Sequence, residues 1–223
     1  MIPLASLREQ IYTYLRSEIQ QGKLEPGASI NIDKMSRELG ISKTPLKEAM
    51  IRLECEGFVT LVPRRGVQVR ELSLQELKNY YEIIGYLEAG VVYSVFEQLK
   101  KATCLKRLKK SNAEQEKALK KEDYDRYYLL NLEFHNIFLN LSDNKTLQEL
   151  VVPLKQRLYD FPRKAYWKEW EELNLQEHRQ FIAAIEECDP LRAAAVIRDE
   201  HWSWQKHKPY FIKFYRFDNY PSS

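Results

Sequence analysis

Asn131 and His135 stand four residues apart, a spacing that puts an amide oxygen and an imidazole on one face of a helix. If His178 reaches the same point from another helix, the three side chains have the spacing of a metal site. Zinc, nickel or manganese would suit such donors. The same histidines also read as hydrogen-bonded core residues, and the sequence leaves both readings open. Water activation at such a cluster would need a general base beside it. Glu133 points away from the His135 face, and neither HExxH nor GxSxG occurs, so an enzyme is not expected.

A second set of residues suits a polyanion. On a helix carrying Leu46, Ala49, Met50 and Leu53 as its apolar stripe, Thr44, Lys47 and Glu48 project to the opposite face, with Lys43 at its flank. Arg64 and Arg65, followed by Gly66, form a basic tip suited to a phosphate backbone or a narrow minor groove. Surface lysines are common, so this pattern gains weight only from the elements around it.

Those elements are legible from punctuation and period. Gly22, Pro26, Gly27, Gly40, Pro45, Gly57, Pro63 and Gly66 divide residues 1–72 into short units. Leu4, Leu7, Ile11, Leu15 and Ile19 predict a first helix, ended by the GKLEPG turn. Asn31 as cap, Asp33 in the first turn, and Met35 and Leu39 facing the core predict a short second helix, stopped at Gly40. Ser42 and Pro45 open the third. Val59, Leu61, Val67 and Val69 then alternate around the basic tip as a two-stranded hairpin. Three helices and a hairpin make a winged helix-turn-helix, whose second helix of the pair enters the major groove.

From Ser73 the pattern changes to long amphipathic stretches, with helices expected near 74–99, 103–121, 124–141, 145–160, 168–187 and 190–207. The expected fold is therefore mostly α, with a winged helix-turn-helix DNA-binding domain in residues 1–72 and an all-α bundle for effector binding and dimerisation in 73–223. The net charge of +3, from 35 basic and 32 acidic residues, is too small to announce a nucleic-acid binder. Residues 1–72 hold eleven basic against nine acidic residues, so any DNA contact must come from local placement. No apolar run approaches a membrane span and the start lacks a leader pattern, which predicts a cytoplasmic protein. Cys55, Cys104 and Cys188 lack metal or disulfide spacing and read as packing residues. The aromatic run FIKFYRFDNY at residues 211–220 is expected to dock on its own subunit or on a partner.

The segments LREQI (7–11), GKLEPG (22–27), LGISKTPLKEAMIRLECEGF (39–58) and PRRGVQV (63–69) closely resemble the GntR family of bacterial regulators. That resemblance implies operator contacts at Ser42, Lys43, Thr44 and Lys47, with Arg64, Arg65 and Gly66 at the wing. Many relatives carry arginine where this chain has Lys43 and Lys47, and lysine lacks the bidentate fork to guanine. The lines YEIIGYLEA (81–89), NLEFHNIFLNLSDN (131–144), EHRQFIAAI (177–185) and DPLRAAA (189–195) resemble the FadR subfamily with its FCD domain. This implies a divalent metal on Asn131, His135, His178 and a last ligand, which by spacing falls on Glu200, with His201 next door. It also implies a small-molecule effector, such as a small organic acid, and a homodimer on double-stranded operator DNA. Where many relatives carry an arginine four residues before Glu88, this chain has Ile84. Arg157 and Arg179 are the candidate substitutes, with Tyr128 and Phe138 lining an aromatic pocket to which Tyr127, Phe134, Tyr166 and Trp167 are also candidates.

Overall fold

The computed structural model describes residues 6–64, 66–160 and 168–215. They fall into two compact units, Met1–Ser73 with Gln156–Lys164, and Leu74–Lys155 with Ala165–Ser223.

In the first unit, α1 (Leu7–Gln20) opens on Ser6, whose hydroxyl accepts from the Glu9 amide at 3.3 Å. Its 3.6-residue stripe buries Ile11, Leu15 and Ile19 together with Tyr12, while Leu7 remains half exposed and Leu4 lies outside the described residues. β1 (Ser29–Ile30) leads into α2 (Ile32–Leu39), capped by the Asn31 side chain accepting from the Lys34 amide at 2.9 Å. Gly40 ends α2 in the left-handed conformation. Met35 is partly buried against the core, whereas Leu39 faces out. α3 (Lys43–Cys55) buries Leu46, Ala49, Met50 and Leu53 against α1. Ser42 holds its N-cap position without a side-chain bond to the helix.

β2 (Val59–Val62) and β3 (Gly66–Val69) form the expected hairpin, and β1 adds an unexpected third strand. The order is β1-β3-β2, all antiparallel, with Ser29 opposite Gln68 and Ile30 opposite Val67. Two residues are too few for alternation to announce a strand. Gly66 has φ +95°, and a Cβ there would stand 3.1 Å from the Ile30 carbonyl, so the wing needs glycine at that point. Thirteen buried residues, from Ile11 to Val69, make one core under these elements, a winged helix-turn-helix.

The described residues of the second unit form helices joined by short turns, with no strand among them. Its elements are α4 (Leu74–Ser94), α5 (Phe96–Leu99), α6 (Ala102–Lys120), α7 (Tyr124–Leu139), α8 (Lys145–Asp160), α9 (Lys168–Glu186), α10 (Pro190–Ala195), a π-helical turn (Val196–His201) and α11 (Trp204–Tyr215). α8 belongs to this unit through Lys155. Two expected helices prove interrupted. The stretch near 74–99 breaks at Val95, and that near 190–207 divides into α10, the π turn and the start of α11. Asp189 caps α10 by accepting from the Arg192 amide at 2.9 Å, with Pro190 in the first turn. The aromatic run begins inside α11, where buried Phe211 packs edge-on to Tyr81 and Trp170 at 5.1 and 4.8 Å. Residues beyond Tyr215 lie outside the described part. Only Cys104 of the three cysteines is a packing residue, since Cys55 and Cys188 are exposed. No described helix is long and apolar enough to cross a membrane.

Gly85 lets α4 approach the end of the π turn, because a Cβ at that position would meet the Trp202 Cβ at 2.9 Å. That neighbour is the root of a side chain and cannot swing away. Gly85→Ala is therefore expected to destabilise the chain by roughly 1–3 kcal/mol, the usual range for overpacking, despite the better helix propensity of alanine. Chemical denaturation checks this, and an unchanged or raised midpoint would contradict the close approach.

Candidate functional site

All four histidines of the chain are buried, and three converge. His135 comes from α7, His178 from α9 and His201 from the last residue of the π turn, with one ligand atom of each lying within 4.8 Å of the others. Their ring centroids are 4.8 to 5.4 Å apart. Asn131 is buried one turn before His135 on α7.

The π turn decides which residue completes the set. Counted at about 100° per residue from buried Ala193, Glu200 would return to within about 20° of the inward direction and His201 would miss it by about 80°. A turn closed by i→i+5 bonds takes up extra chain, so the inward position passes to His201. Glu200, where spacing put the last ligand, is thereby left out of the cluster, and His201 takes its place. Its carboxylate pairs with Lys206 at 2.9 Å and is 47% exposed.

Two carboxylates fix the ring tautomers. Nδ1 of His135 lies 2.7 Å from Glu88 Oε2, and Nδ1 of His201 lies 3.1 Å from Glu177 Oε2. An ionised carboxylate only accepts, so each Nδ1 carries the proton and each Nε2 keeps its lone pair. His135 Nε2 and both ring nitrogens of His178 are buried with no hydrogen-bond partner. Phe134 stacks on the His178 ring at 3.9 Å. His207 stands behind the cluster. Trp170 Nε1 donates to its Nδ1 at 2.6 Å, which leaves the His207 proton on Nε2 facing the Glu200 carbonyl and Glu177.

Glu88 also accepts from Lys155 Nζ at 2.7 Å and Trp202 Nε1 at 2.8 Å. Burial alone would raise its pKa, but the His135 ring and the Lys155 ammonium prevail and hold it well below the usual carboxylate range. Burial pushes His135 down to about 3, against the pull of Glu88, and lowers Lys155 against the same pull. Burial likewise opposes ionisation of Glu177, but its bonds to His201 and His207 hold it well below the carboxylate range. The donor set suits a divalent metal because ring nitrogens meet at one buried point, with the tautomers of His135 and His201 already fixed.

Of the residues proposed to line an effector pocket, Phe138 is buried beside His135, with ring centroids 5.6 Å apart. The other three are not brought to the cluster. Tyr128 donates to Glu171, and Arg179 is about half exposed and pairs with Glu116 at 3.6 Å. Arg157 falls in the first unit, where it donates to the backbone carbonyls of Glu56 and Cys55. Tyr166 and Trp167 lie outside the described residues. The roles of Lys155, Glu177, Trp202 and His207 carry no spacing signal. A lysine in an amphipathic helix reads as solvated, and Glu177 shows its purpose only once His201 faces inward.

In the first unit Ser42, Lys43, Thr44, Lys47 and Glu48 are all exposed along the opening of α3. Lys43 Nζ pairs with Asp33 at 2.8 Å, and the bond to Lys43 lowers the Asp33 carboxyl. Arg64 is exposed at φ +64° in the turn before Gly66, while Arg65 lies outside the described residues.

Comparison with known proteins gives a consistent pattern. Residues 7–69 match the gntR family of bacterial regulatory proteins, and residues 79–201 match the FCD domain. The chain is 28% identical over 178 residues to the uncharacterized HTH-type transcriptional regulator YdhC of Bacillus subtilis (strain 168), covering 79% of each. It is 24% identical over 153 residues to the HTH-type transcriptional repressor RspR of Escherichia coli (strain K12), covering 69% of this chain and 67% of that one. Among solved structures, a GntR transcriptional regulator from Rhodococcus sp. RHA1 is similar in fold at TM-score 0.70 and 18% identity, over 92% of this chain and 97% of the other.

Burial depresses the pKa of both His135 and His178 from the ordinary 6.5. For a base whose folded pKa lies below its unfolded one, stability is full above the unfolded value and is lost as pH falls through it. Chelator-treated protein should therefore melt progressively lower as pH drops from about 6.5 toward 4. His178→Phe, which keeps the stack on Phe134, should show a shallower fall. Parallel curves for the two proteins would mean that His178 is not held neutral by burial.

Proposed function

The chain belongs to the GntR family of bacterial regulatory proteins and carries an FCD domain, and from that premise we propose that its affinity for operator DNA is controlled by a small metabolite bound in the helical unit. As a member of that family it is a DNA-binding transcriptional regulator and not an enzyme. In this reading residues 1–72 bind DNA and residues 73–223 bind effector and pair two chains. The observation that carries it is the buried triad His135, His178 and His201, whose unmatched nitrogens His135 Nε2 and His178 Nδ1 and Nε2 have no role in packing alone. These imidazoles, with Asn131, hold one divalent ion, zinc, nickel or manganese. The ion supplies a Lewis-acid anchor for the acidic group of a small organic acid. Phe138 lends that site an apolar wall. Glu88 and Glu177 orient two of the rings, and Lys155 keeps Glu88 ionised.

Operator recognition falls to Ser42, Lys43, Thr44 and Lys47 at the opening of α3, with Arg64, Arg65 and Gly66 at the wing. One winged helix reads too few base pairs for useful specificity, so the working species is a homodimer on a two-fold site.

Metal analysis of protein purified without a His tag, after incubation with zinc, nickel and manganese, tests the centre. About one equivalent is expected in the parent and little in the His135→Ala, His178→Ala double variant. Near-zero metal in both would leave the triad as core.

The DNA reading is tested with operator fragments across a salt series, using Lys47→Ala and Arg65→Ala. Each variant should bind more weakly, with a salt slope smaller by about one ion. Sedimentation should give twice the 26.6 kDa chain mass. Parental binding by both variants, or a monomer alone at micromolar concentration, would contradict the assignment.

A further inference from the structure

Outside the triad, the buried face of α6 carries a polar group that nothing yet explains. Asn112 and Gln115 are 5% and 0% exposed, and neither Asn112 Oδ1 nor Gln115 Oε1 has a hydrogen-bond partner. The orientation of the Gln115 amide follows from its neighbour. Ser111 donates its hydroxyl proton to the Leu130 carbonyl at 3.2 Å, so its oxygen can only accept further bonds. Gln115 Nε2 is the group that faces it, at 3.5 Å, and the amide oxygen is turned elsewhere. An amide buried with its acceptor unmet costs on the order of 1–3 kcal/mol, a penalty that leucine at either position would avoid.

The place of these amides is fixed from two sides. The Lys109–Glu186 and Glu116–Arg179 ion pairs bracket the stretch against α9, and Arg179 directly follows His178. The Ser111–Leu130 bond holds it against α7, next to Asn131. Phe134 of α7 lies against both His178 and Phe181 of α9, closing the three-helix contact. The unmatched amide oxygens thus belong to the same α6–α7–α9 interior that supplies Asn131, His135 and His178.

We propose that Asn112 and Gln115 are ligand-recognition residues whose amide oxygens accept hydrogen bonds from hydroxyl groups of the effector, which is therefore a hydroxylated organic acid. This rests on the reading of the imidazole triad as a metal centre. The acidic end is held at the metal, and the two amides read the rest of the molecule. A deoxy analogue leaves both oxygens buried and unmet, and discrimination against a missing hydroxyl is strong for that reason.

Gln115→Met and Asn112→Leu remove the unmet acceptors at nearly constant volume, so two readouts follow. In metal-free protein each variant should melt about 2–4 °C higher than the parent, since an unsatisfied buried acceptor is lost and the bond given up, Gln115 Nε2 to Ser111 at 3.5 Å, is a long one. In zinc-loaded parent, L-tartrate and D-gluconate should raise the melting temperature more than succinate and hexanoate at equal concentration. In the variants that advantage should vanish, with zinc content unchanged. Lower melting of the metal-free variants would show that the amides serve a structural water, and would overturn the proposal. So would equal shifts from hydroxylated and deoxy probes in a parent that binds zinc. A parent that binds no zinc overturns the metal reading and this one with it.

Discussion

The constraint on which the helical unit depends is the convergence of three buried imidazoles, two of which, His135 and His178, have ring nitrogens left unmet. Each such group costs on the order of 1–3 kcal/mol when buried without a partner, and His178 alone has two ring nitrogens in that state. A core selected for stability alone would replace these rings with leucine or phenylalanine. Instead the surrounding residues hold them in place. Phe134 covers one face of His178, and Glu88 and Glu177 turn His135 and His201 so that Nε2 is the bare nitrogen. The π turn spends a residue of helical register to bring His201 rather than Glu200 inward.

The carboxylates that orient the rings are themselves buried, and each is matched by a lysine. Glu88 pairs with Lys155 at 2.7 Å, and Glu177 pairs with Lys206 at 2.7 Å. A buried ion pair of this kind adds little net stability, but removal of either member strands a charge. Gly85 connects this shell to the backbone. It sits one turn before Glu88 on α4, and its missing side chain allows the chain at Trp202 to come close enough for the indole N–H to reach Glu88. A glycine that reads as a weak point in a long amphipathic helix is thus what admits the third donor to the carboxylate.

Much of this was legible in the sequence, and what escaped did so for definable reasons. Caps and stops carry local chemistry, so the Asn31 cap and the Gly40 terminus stood out from residue types alone. The i, i+4 pair Asn131 and His135 is likewise a property of one helix. The position of the last ligand is not, because a single extra residue in a turn reverses the choice between Glu200 and His201, and no composition signal marks a π turn. β1 was too short to show a period. Arg157 and Arg179 looked like candidates for an acidic ligand because charge was the only criterion available. Their partners, backbone carbonyls for one and Glu116 for the other, become visible only in three dimensions. Lys155 escaped for the converse reason, since burial of a lysine depends on a carboxylate 67 residues away.

The charge balance of the centre bears on what the metal reading requires of a ligand. The three imidazoles are neutral donors, as is the amide of Asn131, and the nearby carboxylates are already neutralised by Lys155 and Lys206. A divalent ion on this set would keep its two positive charges in a low-dielectric interior, where an uncompensated charge is expensive. A carboxylate ligand on the protein would have removed half of that charge in advance, and this chain has asparagine there instead. The missing negative charge would then have to come from the effector. Metal and acid would consequently bind as a pair, each raising the affinity for the other by the same factor, as linkage demands. A neutral donor set therefore makes the centre more dependent on its ligand than a charged one, which is the property a sensor needs and a purely structural metal site does not.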